Sequence, residues 1–324
     1  MNENRGLLSS GLGMVGRNKR YIVWFYGLNA VLAWFGAAAF GNQAHAILDH
    51  SLRADGLLHG FSVGVLTELF VRPEFGSSQA LNAPAMLFAA LFLFATVLFL
   101  PGVLQGYAST YRLPREDFFR ACGRNLWRFI RLMIVAGIVM GIVAGALFLI
   151  RAALLKKAAQ NTNELLPFYL SVASLTAIFL VMTVLRIWFD LAQTDVVLSD
   201  QRAVRRSIGA GFRHTWRGVV RLLASYVGAT IVAAILLLAG LWVWVRFVPP
   251  ASVRGAIFIS QLTLFLLLIP RFWQRGVAVT YYLQNMVTPL AVQPFSPAPV
   301  VVAVVNEPSP APIVPDALPE PPAA

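Results

Sequence analysis

Acidic residues are scarce in this chain. Of 324 residues only 14 are Asp or Glu, against 26 Lys or Arg, and charged residues of both signs make up 12%. A soluble domain carries roughly 25%. So little polar surface cannot cover a composition that is 58% hydrophobic, which excludes an ordinary soluble fold. Cysteine is nearly absent too. Cys122 stands alone, so no intramolecular disulfide can form and the redox compartment stays open; it reads as a small apolar packing residue. The sequence also has no G-x-x-x-x-G-K-[ST], no G-x-S-x-G and no CxxC pair, the signatures of phosphate cradles, nucleophile elbows and redox dithiols. No catalytic residue and no cofactor are expected.

Uninterrupted apolar sequence is what the chain does have. Six stretches exceed the ~18 residues that suggest a membrane-spanning helix: Tyr21–Phe40, Pro84–Tyr107, Leu126–Ile150, Leu165–Phe189, Val219–Val245 and Ala256–Tyr282. The first follows basic residues and contains Ala37-Ala-Ala39, a small-residue pattern found at signal-peptide cleavage sites. It is read here as a retained span, because cleavage would leave an odd helix.

Basic residues alternate in density between the connections. With the N-terminus on the inside, 19 of the 26 Lys and Arg fall on that side. The positive-inside rule then places both termini in the cytoplasm of a bacterial inner membrane. The net charge of +12 is thus accounted for by topology and by contact with anionic lipid headgroups, with no need for a nucleic-acid partner.

Two short patterns recur. Arg124-Asn-Leu-Trp-Arg128 and Arg213-His-Thr-Trp-Arg217 share R-x-x-W-R and lie 89 residues apart. Ala108-Ser-Thr-Tyr111, Ala192-Gln-Thr-Asp195 and Ala278-Val-Thr-Tyr281 each follow an apolar run, at spacings of 84 and 86. These echoes predict an all-α integral membrane protein of three parallel two-helix repeats. Each repeat is preceded by a cytoplasmic amphipathic elbow helix, at Leu7–Arg20, Arg115–Asn125 and Gln201–Trp216. In the third, Val204, Ile208 and Phe212 make an apolar stripe beside Arg202, Arg205, Arg206 and Arg213, the pattern of a helix lying in the headgroup region. Arg124, Trp127, Arg128, Arg213, Trp216 and Arg217 are the candidate lipid-contacting residues, since indole and guanidinium both favour that depth. In the first elbow the pattern decays to Arg17-Asn-Lys-Arg-Tyr21.

The domain plan is therefore an N-terminal elbow over residues 1–20, a six-helix domain over 21–286, and a tail over 287–324. The external loop 41–83 should hold an amphipathic helix, with Leu57, Leu58, Phe61, Val65, Leu66, Leu69 and Phe70 at helical spacing. The tail is dense in proline and should be disordered and partly polyproline II, a possible docking segment for a protein partner.

Charges inside spans are rare and costly. Arg186 and Asp190 stand one turn apart and can pair, and Arg271 or Arg275 can also meet Asp190, which replaces the glycine held at Gly106 and Gly276 in the other repeats. A polar axial cavity around Asp190 would instead suit a transporter of a small molecule or lipid. His45, Asp49 and His50 are weak candidates for a metal site, although His50 points away from His45 on a single helix. Gly137, Gly141 and Gly145 form a small-residue stripe expected to seat another helix of this chain, or alternatively a second copy.

The elbow–span–span pattern, with Phe119-Arg-Ala-Cys-Gly-Arg124 and Asp190-Leu-Ala192 followed by Val196-Val-Leu-Ser-Asp200, resembles bacterial polytopic proteins of the glycerophosphodiester phosphodiesterase membrane-domain type and related uncharacterised six-span proteins. The resemblance covers about residues 5–285. It implies a membrane domain without catalysis, because the phosphodiesterase site of that type belongs to a separate soluble barrel that this chain lacks the length to hold. The three-by-two plan is also similar to the mitochondrial carriers, but Pro101-Gly-Val-Leu-Gln-Gly106 and Pro270-Arg-Phe-Trp-Gln-Arg275 lack the acidic residue of their P-x-[DE]-x-x-[KR] motif.

Overall fold

The computed structural model describes residues 6–48, 79–109, 111–160, 165–200, 203–249 and 252–286. Among these there is no strand. The helices are α1 (Leu7–Arg17), α2 (Arg20–Leu48), α3 (Gln79–Ala108), α4 (Arg115–Ala158), α5 (Leu166–Leu198), α6 (Val204–Arg217), α7 (Val219–Phe247) and α8 (Val253–Asn285). Six of them, all but α1 and α6, are long and apolar enough to cross a membrane. Each of the six runs past the stretch read from sequence at one end or both. At 29 to 44 residues and 1.5 Å per residue they exceed the ~30 Å hydrocarbon core. The histidine-bearing loop beyond Leu48, with its expected amphipathic helix, and the proline-rich tail lie outside the described residues.

One helix boundary differs from the expectation. The segment Arg115–Asn125 is not a separate helix: it forms the first turns of α4, which continues unbroken to Ala158. Nothing in that stretch stops a helix. Pro114 precedes it, Glu116 and Asp117 occupy its first turn, and Lys156 and Lys157 its last, all in the sense the helix dipole favours. By contrast α1 ends at Asn18 and α6 ends at Gly218, both of which leave helical geometry.

Packing pairs the long helices as hairpins, α2 with α3, α4 with α5, and α7 with α8. The second members, α3, α5 and α8, also touch one another. The short helices cross between hairpins. α1 lies along α8, α6 lies along α5, and the beginning of α4 lies along α3. The tightest crossing is glycine on glycine: a Cβ on Gly11 would sit 2.9 Å from the Val277 nitrogen, and one on Gly276 would sit 2.7 Å from the Gly11 oxygen. The Trp273 indole nitrogen donates to the Leu8 oxygen at 2.8 Å beside it. Trp188 makes the same bond to the Ile208 oxygen of α6, also at 2.8 Å.

Burial divides the molecule into two zones. At the end carrying α1 and α6, Tyr21 stacks on Phe118 at 5.3 Å, with Trp24 edge-on to Phe118 at 5.8 Å. Phe129, Leu132, Ile187, Leu191, Leu222, Tyr226 and Val277 are fully enclosed there, and Cys122 is buried. Towards the other end, no residue is buried from Gly137 to Lys157 of α4, from Thr230 to Phe247 of α7, or from Val253 to Ile269 of α8. Contacts in that zone include Phe35 on Phe88, Arg151 to Ser171 and Gly240 against Thr263, each within one hairpin. Tyr26 donates to Gln261 at 3.0 Å, tying α2 to α8 nearer the core.

The glycine stripe of α4 overturns its expected use. A Cβ on Gly137, Gly141 or Gly145 would meet nothing within 4 Å, so no described helix of this chain is seated there. The three glycines lie in the zone where α4 has no buried residue, and their face is left open.

The Gly11–Gly276 crossing generates a test. Gly11→Val should cost about 1–3 kcal/mol through overpacking and lower the thermal midpoint of the detergent-solubilised protein. Gly13→Ala in the same helix, where a Cβ meets nothing within 4 Å, should leave the midpoint unchanged or raise it.

Candidate functional site

Asp190 sits on the face of α5 that turns towards α7 and α8. Tyr226 of α7, itself fully buried, donates its hydroxyl to Asp190 Oδ2 at 2.8 Å. One turn before Asp190, Arg186 brings its Nε to 3.8 Å from the same oxygen. Gln274 of α8 extends the network, donating to the Tyr226 carbonyl at 3.2 Å and to Thr230 Oγ1 at 3.0 Å. A carboxylate inside a bundle needs such partners because a bare charge there is expensive.

Arg271 and Arg275 stand nearby but do not pair with it. Neither reaches ion-pair distance of a described carboxylate, although both lie within electrostatic reach of Asp190. Arg275 lays its guanidinium 5.9 Å from the centre of the Phe272 ring and buries its Nε without a hydrogen-bond partner. The recess between Arg271, Arg275, Phe25 and Phe92 encloses about 10 Å³, room for roughly one water molecule. Through Tyr226 and Gln274 the cluster braces α5, α7 and α8 against one another.

The interfacial motif resolves into two roles. Trp127 and Trp216 point outward, 62% and 59% exposed, and Arg131 covers the Trp127 ring at 5.1 Å. Arg128 turns inward instead, donating to Asp200 Oδ1 at 2.6 Å and to the Asp200 carbonyl at 3.3 Å, while Arg124 stands 3.8 Å from that carboxylate. Asp200 takes a left-handed φ of 52°, which short polar residues tolerate. Arg128 thereby pins the turn that leaves α5. Arg213 and Arg217 flank His214 on α6, whose imidazole is held below its ordinary pKa by burial and then by those two charges, with Asp195 opposing.

Sequence reasoning passed over Tyr226, Gln274, Trp188 and Trp273. The tryptophans carry a usable signal, since an indole N–H placed within an apolar helix must find an acceptor. Tyr282, which donates to Asp195 Oδ1 at 3.1 Å, carries the same signal through its hydroxyl. His45 falls within α2, whereas Asp49 and His50 lie outside the described residues. Among the described residues no three His, Cys, Asp or Glu side chains gather as a metal site would require. Comparisons with family models, with curated proteins and with solved structures return no match to this chain.

The bracing role of Asp190 has a measurable consequence. Asp190→Asn keeps an oxygen for Tyr226 but strands Arg186, so unfolding should become easier by about 1–3 kcal/mol. That is less than the roughly 3–5 of a fully buried pair, because Arg186 is partly exposed. In a double-mutant cycle, Arg186→Gln added to Asp190→Asn should restore part of the loss; strictly additive losses would deny the pairing.

Proposed function

We propose that this chain is a non-catalytic protein of the bacterial cytoplasmic membrane, built from three parallel two-helix units. Both termini face the cytoplasm, and the basic interfacial segments engage the anionic lipid of that leaflet. One observation carries the reading: each interfacial segment lies on the second helix of a neighbouring hairpin, α1 on α8, the start of α4 on α3, and α6 on α5. Trp127 and Trp216 on two of these segments face outward, as indole does where it anchors at a membrane boundary.

The chemistry of the interior supports the same reading. A membrane enzyme or a proton-coupled pump needs reactive or titrating groups in an accessible space, and here Asp190 is engaged by Tyr226 and Arg186. The transporter alternative would use Asp190 as a free group facing a cavity, and its bonding to Tyr226 and Arg186 favours the bracing role instead. Lipid engagement needs only an outward basic and aromatic surface, and α6 with the start of α4 supplies one.

Lipid selectivity tests this. With spin-labelled lipids in reconstituted vesicles, the full-length protein should immobilise phosphatidylglycerol in preference to phosphatidylcholine. Arg213→Gln with Arg217→Gln should reduce that preference about twofold, as should raising the salt, since each surface cation contributes up to about 1 kcal/mol near an anionic leaflet. Equal immobilisation of both lipids by the unmodified protein would overturn the reading.

A further inference from the structure

The three junctions between interfacial segment and span are built differently. In α4 there is no break at all. Between α6 and α7 the break is Gly218 alone, and the Tyr281 ring fills the space beside it, its hydroxyl donating to the His214 carbonyl at 3.1 Å. Between α1 and α2 the break is two residues, Asn18 and Lys19, at the place where R-x-x-W-R decays to Arg17-Asn-Lys-Arg-Tyr21. Asn18 turns back to cap α1, its Nδ2 donating to the Met14 carbonyl at 3.2 Å, and beside it a cavity of about 590 Å³ remains open.

The described residues that line this cavity carry one sign of charge. Arg17, Lys19, Arg20 and Arg112 line it, together with Trp24 and Tyr111, and among the described residues no acidic side chain does. Arg20 is fixed in the wall: its Nη2 donates to the Leu113 carbonyl at 2.7 Å and to the Tyr21 hydroxyl at 2.9 Å, and its Nε is buried without a partner. Arg17, Lys19 and Arg112 are exposed and make no ion pair with a described residue. Four cations around one space repel each other until an anion enters. The volume is in the range of small-molecule sites and takes a whole headgroup.

The apolar side of the cavity selects among anions. Val23 and Trp24, in the first turn of α2, line it and are partly exposed. They lead from the basic mouth down the side of a membrane-spanning helix. Trp24 rests edge-on against Tyr21 at 6.1 Å. A free phosphate would use the cations alone, whereas an amphiphile uses both surfaces.

We infer that the α1–α2 junction is a binding site for one anionic phospholipid, its phosphate among Arg17, Lys19 and Arg112 and its acyl chain along Val23 and Trp24. The inference rests on the lipid-engaging reading above and narrows it from a general surface preference to a single seated molecule.

Native mass spectrometry of the full-length protein in neutral detergent tests it, with dioctanoyl phosphatidic acid as probe. One copy should bind saturably, and dioctanoyl phosphatidylcholine should not be retained. Arg17→Gln, Lys19→Gln and Arg112→Gln together should weaken binding at least tenfold with the thermal midpoint unchanged, and Lys19→Gln alone about twofold. Arg213→Gln with Arg217→Gln, on the far interfacial helix, should change it less than twofold. Undiminished binding in the triple variant, or an equal loss in the α6 variant, would overturn the site. Displacement of the lipid by equimolar inorganic phosphate would overturn the lipid as its occupant. A protein that shows the spin-label preference but no saturable copy would refute this site alone; absence of both would refute the broader reading.

Discussion

Everything in the packed end of this protein depends on how closely two backbones approach at Gly11 and Gly276. The contact joins the first described helix to the last, and it reinforces the contacts that α3, α5 and α8 make with one another. Without a hydrophobic driving force between helices in lipid, such association relies on dispersion at short range and on hydrogen bonds. Glycine on both sides supplies the range, and the Trp273 bond to the Leu8 carbonyl supplies direction. Trp188 does the same for α6, where Gly211 lets the helix settle against Ala192 and the Trp188 carbonyl. The third crossing uses a different solution: Gly102 leaves room for Phe118, which stacks between Tyr21 and Phe99.

Polar groups then stiffen what the glycines bring together. Where Gly276 of α8 admits a backbone, Asp190 of α5 instead collects Tyr226 and Arg186. The exception to the small-residue pattern is thus still an inter-helix contact, made by hydrogen bonds instead of close approach. Arg128 plays a comparable part at the surface, where it holds the Asp200 turn. Arg128, Arg186 and Asp190 thus serve geometry, and Trp127, Trp216, Arg213, Arg217 and the cations of the α1–α2 junction form the outward chemistry.

Much of this was legible in the residues. Hydropathy located all six long helices, because each run is too long and too apolar to be anything else. The i, i+4 spacing of Arg186 and Asp190 located their pairing. What escaped was set by tertiary contact. No local signal distinguishes Arg115–Asn125, which continues into its span, from Leu7–Arg17, which does not; the difference lies in Asn18 and Lys19 leaving helical geometry. The Gly137–Gly141–Gly145 stripe has the spacing of a packing seam, but spacing does not say whether a partner arrives, and among the described residues none does. Tyr226 carries the same hydroxyl signal as Tyr282, but nothing local says that its acceptor is a residue 36 places away. The weakened motif at Arg17–Tyr21 looked like a loss of pattern, whereas in space it is where a cavity opens.

The two-zone distribution of burial bears on mechanics. One end of the bundle is a solid plug, while the far halves of α4, α7 and α8 share no enclosed side chain with the other hairpins. Apart from the link of Tyr26 to Gln261 and Phe265, the spacing of the hairpins there is left largely to the lateral pressure of surrounding acyl chains. A thinner or more disordered leaflet lets them tilt outward about the plug, and a thicker one draws them upright. The molecule is stiff on one face of the membrane and compliant on the other, so a change in bilayer thickness becomes a change in its cross-section on one side only.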